Sequence, residues 1–466
     1  MAIYFILPHC FNSYKIQHAF LVLASLYFYA YFNFSYLKII LGSIIVNYLI
    51  AKMMLRVEGN VTKREEKLRK GVLIGGILFN VLLLGYYKCY DFFIENSNYL
   101  LGTQYFLRKI LLPLGISFFT FQQLSFLISI YKRTEKLGDF ASYCLFVTFF
   151  PQLVAGPIVL YSEMIPQFVD EKRRFFVLDN FVLGIYIFVI GLFKKVVVAD
   201  TVAVFVDNGF GLARLGFAPA WIISLAYSLQ LYFDFSGYSD MAIGMGKMFN
   251  INLPINFDSP YKSKSVTEFW RRWHITLGRA LGAFVYIPLG GNRLGRFRTL
   301  INLMVVFLVS GLWHGADWTF VVWGALHGFM VAAERVLTAK LAPIPGFVRT
   351  TCTFLYINAL WVLFRARSFD EAIKIYRGML DFGNWDLASV SLLAIDGIVN
   401  LPISAALIYV LGSVGVLYGV VFYAHNSIER SHLFSKNYAS MLLTSFLFVL
   451  SVVHMSRLSV FIYFNF

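Results

Sequence analysis

Residues 299–336 read TLINLMVVFLVSGLWHGADWTFVVWGALHGFMVAAERV. Two apolar runs, Thr299–Trp313 and Thr319–Val336, are separated by a His-Gly-Ala-Asp turn. Each run comes close to the roughly 20 residues that carry a helix across a bilayer. In lipid the backbone must satisfy its own N–H and C=O groups, so runs of this kind predict a pair of helical spans. The turn between them holds His314 and Asp317, and His327 follows inside the second run. Polar groups at membrane depth are expensive and need a physical reason.

The same pattern extends outward over the chain. Of 466 residues, 59% are hydrophobic and 14% charged, against about 25% charged in an ordinary soluble domain. The shortfall is spread along the whole length, which predicts many spans with short connections rather than a soluble fold. Phe20–Phe34, Tyr36–Leu55, Gly71–Tyr87, Lys109–Tyr131, Asn180–Ala199 and Ala218–Met245 read as spans before the pair above. Phe347–Phe364, Ile403–Tyr423 and Tyr438–Phe464 follow it. The expected architecture is an all-α polytopic membrane protein with about ten to twelve transmembrane helices.

Phe140–Tyr161 is apolar but interrupted by Pro151, Gly156 and Pro157. It reads as a re-entrant hairpin, which membrane depth tolerates only where protein or a cavity surrounds it. Phe92–Leu101 reads as a short amphipathic piece, Phe369–Leu380 as a surface helix, and Val266–Tyr286 as one aromatic-basic helix. Ala2–Pro8 is too short to cross.

The net charge of +15 gathers in loops such as Arg56–Lys70 and Lys132–Lys136, as the positive-inside bias expects for cytoplasmic connections. No basic face remains to support nucleic-acid binding. Cys10, Cys89, Cys144 and Cys352 are scattered and show neither disulfide nor metal spacing. No cleavable signal peptide is visible.

Candidate functional residues concentrate between Tyr232 and His327. In Tyr232-Phe-Asp-Phe-Ser-Gly-Tyr-Ser-Asp240, the aspartates Asp234 and Asp240 are six positions apart and face different sides of a helix. Each either accepts hydrogen bonds from a neighbouring helix or an Arg, or orients a catalytic group. In Glu268-Phe-Trp-Arg-Arg-Trp-His274, the helix is either an interfacial Trp anchor or carries His274 into a site. Arg271 and Arg272 can reach headgroups or anionic ligands.

His314, between Trp313 and Gly315, is either a satisfied core histidine or a reactive one. On one continuous helix His327 would lie about 20 Å from it on another face, which leaves His274 as the better partner for His314. A metal site is not expected, because the three histidines lack helical zinc spacing and further ligands. Gly290-Gly-Asn-Arg-Leu-Gly-Arg-Phe-Arg298 lacks the ending of a P-loop. It is either a positive-inside loop or a contact for donor phosphates through Asn292 and Arg293.

Taken together, Phe269-Trp-Arg-Arg-Trp-His-Ile-Thr-Leu277, Tyr286-Ile-Pro-Leu-Gly-Gly-Asn-Arg293, Leu312-Trp-His-Gly315 and Trp323-Gly-Ala-Leu-His-Gly328 resemble the membrane-bound O-acyltransferase (MBOAT) family. The likeness is to its alginate and peptidoglycan O-acetylation branch. Leu112–Gln122, Pro151–Pro157, Tyr161–Gln167, Tyr232–Asp240 and the terminal Phe461–Phe466 agree, so it covers nearly the whole chain.

The resemblance implies one MBOAT membrane domain over residues 1–466, with its core motifs in 230–330 and helices and re-entrant segments around a central tunnel. It implies His314 as the catalytic residue and His274 as the second family histidine, and Trp313, Asp234, Asp240 and His327 are the supporting candidates from the pattern above. It implies acetyl-CoA as donor, for which Arg271, Arg272, Asn292 and Arg293 are binding candidates from the residue patterns above. The acetyl group would pass toward an extracytoplasmic glycan acceptor through a periplasmic SGNH-type acetyltransferase, from the bacterial inner membrane.

Two positions depart from the family pattern. A Trp-Leu-Arg-Asp-Tyr run is replaced by Ala280-Leu-Gly-Ala-Phe284, without the Arg-Asp pair, and Met1 enters within what is usually a complete first span. His314 would act as general base or carry the acetyl group itself. Rival readings are a transporter of acetyl groups or a small solute without catalysis, whose paired repeats are not seen, and an MBOAT that acylates a lipid or a protein. Alginate, peptidoglycan and another exopolysaccharide all remain open as acceptors.

Overall fold

The structure is a computed structural model and describes residues 1–11, 13–55, 62–341, 343–394 and 402–455. Arg56, the end of the expected Tyr438–Phe464 span and the Phe461–Phe466 motif lie outside the described residues. Among the described residues there are helices and no strand, with one isolated bridge between Phe257 and Trp273. The expected all-α architecture is observed.

Seven helices among the described residues are long and apolar enough to cross a bilayer: Phe34–Leu55, Lys63–Leu101, Leu178–Gly211, Arg296–His314, Trp318–Leu337, Gly346–Arg365 and Ile403–Tyr423. The other expected crossings also contain helices, and these fall short of that measure in length or hydropathy. The chain divides into two compact units, Met1–Ile185 with Ala242–Pro254, and Tyr186–Met241 with Ile255–Phe466.

The first unit opens with α1 (Ala2–Cys10), α2 (Tyr14–Phe32), α3 (Phe34–Leu55) and α4 (Lys63–Leu101). The expected separate piece Phe92–Leu101 is instead the end of α4, a single helix of 39 residues. No Pro or Gly stands between Tyr86 and Leu101 to break it. A reciprocal capping box of Thr62 and Glu65 starts it.

Next come α5 (Ile116–Lys132), α6 (Phe140–Thr148), α7 (Phe150–Leu153) and α8 (Tyr161–Val169). The break between α6 and α7 falls at Phe149, just before Pro151, and residues 151–159 are buried. Irregular backbone is thus enclosed by protein, as the re-entrant reading requires. Asn47 and Ser43 of α3, Asn80 of α4, Gln123 of α5 and Tyr143 of α6 form one buried hydrogen-bonded network. In an apolar surround such side chains fix which helix faces meet, at about 0.6–2 kcal/mol per bond.

The chain continues through α9 (Leu178–Phe193), a π-helical turn at Lys194–Ala199, α10 (Asp200–Gly211) and α11 (Phe217–Met248). In the second unit, Gly191 and Gly237 let two helix backbones approach. A Cβ on Gly191 would stand 2.6 Å from the Gly237 carbonyl oxygen. The wider π turn presents two consecutive lysines to α11. Lys194 meets Asp240 at 2.7 Å, and Lys195 bridges Asp200 and Asp234.

After α11 come α12 (Val266–Arg272), α13 (Ile275–Leu281) and a π turn at Gly282–Tyr286. The expected single helix over Val266–Tyr286 is therefore broken. His274 takes a left-handed φ of 47° between the two pieces, a conformation that costs a non-glycine residue roughly 1–2 kcal/mol. Then α14 (Arg296–His314) and α15 (Trp318–Leu341) form the hairpin announced by the sequence. They are followed by α16 (Gly346–Arg365), α17 (Phe369–Met379), α18 (Leu387–Leu392), α19 (Ile403–Tyr423), α20 (Ser427–His432) and α21 (Tyr438–His454). The surface helix expected at Phe369–Leu380 is α17.

Candidate active site

The site lies within the second unit, where the α14–α15 hairpin meets α12, α13 and α16. Glycines set the hairpin's tightness. Added Cβ atoms on Gly311 of α14 and Gly324 of α15 would each stand 2.4 Å from a carbonyl oxygen of the opposite helix. Small residues four apart, such as Gly324 and Gly328, allow this backbone approach in membranes. The hairpin turns at Gly315–Asp317, so α15 runs back alongside α14. His327 consequently lies near His314, contrary to the 20 Å of an unbroken helix.

Three buried histidines and three tryptophans interleave here. His314 is 2% exposed and its ring packs edge-on against Trp313, Trp323 and Phe364. Trp313 also packs on His274, and Trp323 on His327. Both His274 and His327 are fully buried and within electrostatic reach of His314. His314 is therefore the middle of three imidazoles, with one indole between each pair.

Hydrogen bonds assign the ring protons. His314 Nδ1 lies 2.7 Å from the Ser310 carbonyl oxygen. A carbonyl only accepts, so Nδ1 carries the proton and Nε2 is the lone-pair nitrogen of the neutral ring. His327 is the opposite tautomer: Trp270 Nε1–H donates to its Nδ1 at 3.1 Å, which places the proton on Nε2. Among the described residues, His327 Nε2, Trp323 Nε1 and Ser310 Oγ are buried without a hydrogen-bond partner.

A cleft of two lobes lies against this cluster at Trp270 and Ser310, and the lining of neither lobe includes His274, His314 or His327. Its inner lobe, about 440 Å³, is lined by Trp270, Arg271, Arg279, Tyr286, Phe307 and Ser310, among others. Thr267, Arg271, Tyr286, Leu303 and Val331 are shared with an outer lobe of about 480 Å³, which adds Glu334, Arg335 and Arg349. These volumes suit a small-molecule ligand. Glu334 accepts from the Val266 and Thr267 N–H groups at 2.6 and 2.8 Å, and so caps α12 from α15.

Residues 106–365, more than half of the chain, match the family model described as MBOAT, membrane-bound O-acyltransferase family. The chain belongs to the membrane-bound O-acyltransferase family. It is therefore a multi-pass membrane enzyme of the acyltransferase class. This MBOAT protein is 41% identical to the peptidoglycan O-acetyltransferase of Helicobacter pylori, over 99% of its own length and 94% of the relative's. It is 39% identical to the probable alginate O-acetylase AlgI of Pseudomonas aeruginosa, over 82% of this chain and 74% of that protein. A teichoic acid D-alanyltransferase of Streptococcus thermophilus is 28% identical, over 46% of this chain and 55% of the relative.

Among the MBOAT site residues expected from sequence, His314, His274, His327 and Trp313 are brought together. Asp234 and Asp240 are each held by a neighbouring helix, and the cations are Lys195 and Lys194 rather than an Arg. Arg271 lines both lobes of the cleft. Arg272 is bound by Glu268 at 3.0 Å and by Asp258 at 3.6 Å. Asn292 and Arg293 are exposed turn residues that do not appear in the lining of either lobe.

Sequence reasoning missed Ser310, Glu334, Arg335, Arg349 and Trp361, whose indole stacks on Trp323. A polar residue one helical turn before His314 was a usable signal for Ser310. Nothing local marks the other four, because each reaches the site through tertiary packing.

Proposed function

We propose that this protein moves an acetyl group from cytoplasmic acetyl-CoA toward an extracytoplasmic glycan, peptidoglycan in particular, with His314 as the catalytic residue. The observation that carries the proposal is the 2.7 Å bond from His314 Nδ1 to the Ser310 carbonyl oxygen. It fixes the neutral ring with Nε2 as a proton acceptor, one turn beyond a serine that lines the cleft. The near full-length match to the peptidoglycan enzyme supports that acceptor, since the AlgI match leaves about a fifth of the chain uncovered.

In this reading the outer lobe takes the donor's phosphates. Arg271, Arg335 and Arg349 supply planar cations suited to them. The thioester reaches inward past Trp270 and Phe307. The acceptor oxygen attacks the thioester carbonyl while His314 Nε2 takes the hydroxyl proton. The carbon–sulfur bond breaks, the ester forms, and the imidazolium returns its proton to the leaving thiolate. The buried N–H groups of Trp323 and His327 are donors for the developing oxyanion. A periplasmic SGNH-type acetyltransferase then moves the acetyl group from that ester to a glycan hydroxyl, which leaves the first acceptor as its free hydroxyl. The inner membrane is the location that joins a cytoplasmic donor to an outer acceptor.

The test uses membranes containing the full chain, labelled acetyl-CoA, and base-labile label in glycan as readout. His314→Ala should lower transfer by about 10²–10⁴-fold with the protein still folded in membranes. Wild-type transfer by that variant would refute the catalytic role. Label incorporation from D-alanine, and none from acetyl-CoA, would move the acyl group to that of the teichoic acid relative.

A further inference from the structure

The break between α12 and α13 gives His274 its place, and one residue outside both helices makes that break. Asn256 is 1% exposed. Its backbone carbonyl accepts from the Ile275 N–H at 3.0 Å. Its side-chain Oδ1 accepts from the Thr276 N–H at 3.2 Å and from the Thr276 hydroxyl at 2.9 Å. The same oxygen lies 3.1 Å from His274 Nδ1. On the other side, Asn256 Nδ2 reaches Ser239 Oγ of α11 at 3.4 Å. The Phe257–Trp273 bridge and the Asp258 N–H to Arg272 carbonyl bond, 2.9 Å, hold the two segments in register.

The amide orientation follows from the backbone N–H of Thr276, which can only donate. Oxygen therefore occupies the shared position, and His274 Nδ1 must donate to it. The neutral ring then has its lone pair on Nε2, at the edge away from Asn256. In this state His274 Nε2 cannot donate to an oxyanion; that nitrogen can only accept a proton. His314 is within electrostatic reach of it.

We propose that Asn256 is a positioning residue whose side-chain carbonyl holds His274 at its left-handed turn in the Nδ1–H tautomer, making His274 a second proton acceptor beside His314. The inference rests on the reading of the histidine cluster as the catalytic centre. Both imidazoles then present lone-pair Nε2 atoms, and the protonated Nε2 of His327 is left as the donor of the three. The proton taken by His314 goes on to the leaving thiolate, and the lone pair on His274 Nε2 supports the imidazolium until it does.

The experiment measures acetyl transfer from labelled acetyl-CoA in membranes containing the full chain, across pH, for wild type, Asn256→Leu, Asn256→Asp and His274→Ala. Asn256→Leu removes the acceptor and should lower kcat at least tenfold with the KM for acetyl-CoA unchanged. Asn256→Asp keeps an acceptor oxygen and adds a charge that favours the imidazolium. It should recover turnover relative to the Leu variant, with the acid limb of kcat moved upward by about one pH unit or more.

An Asn256 that served packing alone, beside an imidazole taking no proton in turnover, would leave that limb unmoved. If His274→Ala is inactive and the Asp variant shows the wild-type pH profile, the positioning role is overturned while the site reading stands. If His274→Ala turns over like wild type, the site reading itself fails at His274. Should the Leu variant not accumulate in membranes, the Asp profile alone decides.

Discussion

Gly311→Ala tests the α14–α15 hairpin and the site it carries with a single methyl group. The new Cβ would stand 2.4 Å from the Phe320 carbonyl oxygen, where real Cβ atoms essentially never come under 3.0 Å. The obstacle is backbone, so one helix must move away from the other by about 0.6 Å or more. Overpacking of this kind costs roughly 1–3 kcal/mol. His314 lies three residues beyond Gly311, and Trp323 and His327 stand on the opposing helix, so the shift acts on the spacing of the proposed catalytic cluster. A misplacement near 1 Å can cost about 10²-fold in rate. We expect transfer to fall by roughly 10–100-fold, equivalent to about 1.4–2.7 kcal/mol of barrier. The assay is labelled acetyl transfer in membranes, with detergent-extracted protein monitored by thermal unfolding. Gly412→Ala on α19 is the control, because nothing lies within 4 Å of its added methyl. Wild-type transfer by a well-folded Gly311→Ala protein would refute the argument that this backbone contact sets the site.

Lys194→Met leaves the Asp240 carboxylate buried without the cation held 2.7 Å away. A thermal stability loss of about 3–5 kcal/mol is expected, and Lys194→Met with Asp240→Leu should recover most of it; equal loss in the single and double variants would contradict this. At α20, the hydrogen bond from the Asn426 N–H holds the Glu429 carboxyl below its usual range. A carboxyl whose folded-state pKa is depressed stabilises above its unfolded pKa and loses that contribution as pH falls through the folded value. Hydrogen-exchange protection of residues 426–433 should therefore fall on acidification below the ordinary glutamate range. In Glu429→Gln it should lose its pH dependence across that range, and an unchanged profile there would exclude this cap as the cause.

Much of the site was legible because its chemistry is local. His314 stands at the end of an apolar run, between a tryptophan and a glycine, and no bland surface reading fits it. The aspartates Asp234 and Asp240 were legible as polar groups needing partners. Their partners were not, because Lys194 and Lys195 face α11 together only through a π turn that helical periodicity does not announce. Arg272 and Arg293 looked equivalent to Arg271 in sequence. Tertiary contacts separate them: Glu268 and Asp258 bind Arg272, and Arg293 sits in an exposed turn.

Hydropathy by itself determined a helical, many-span membrane chain, since lipid satisfies no backbone polar group and leaves the helix as the answer to each apolar run. Motif chemistry determined which histidine to suspect. Folding alone decided which nitrogen of each ring keeps its proton. That choice belongs to the Ser310 carbonyl, the Asn256 amide and the Trp270 indole. The last two reach their histidines from 18 and 57 residues away in the chain. Helical period says which residues share a face, but not which face another helix will meet.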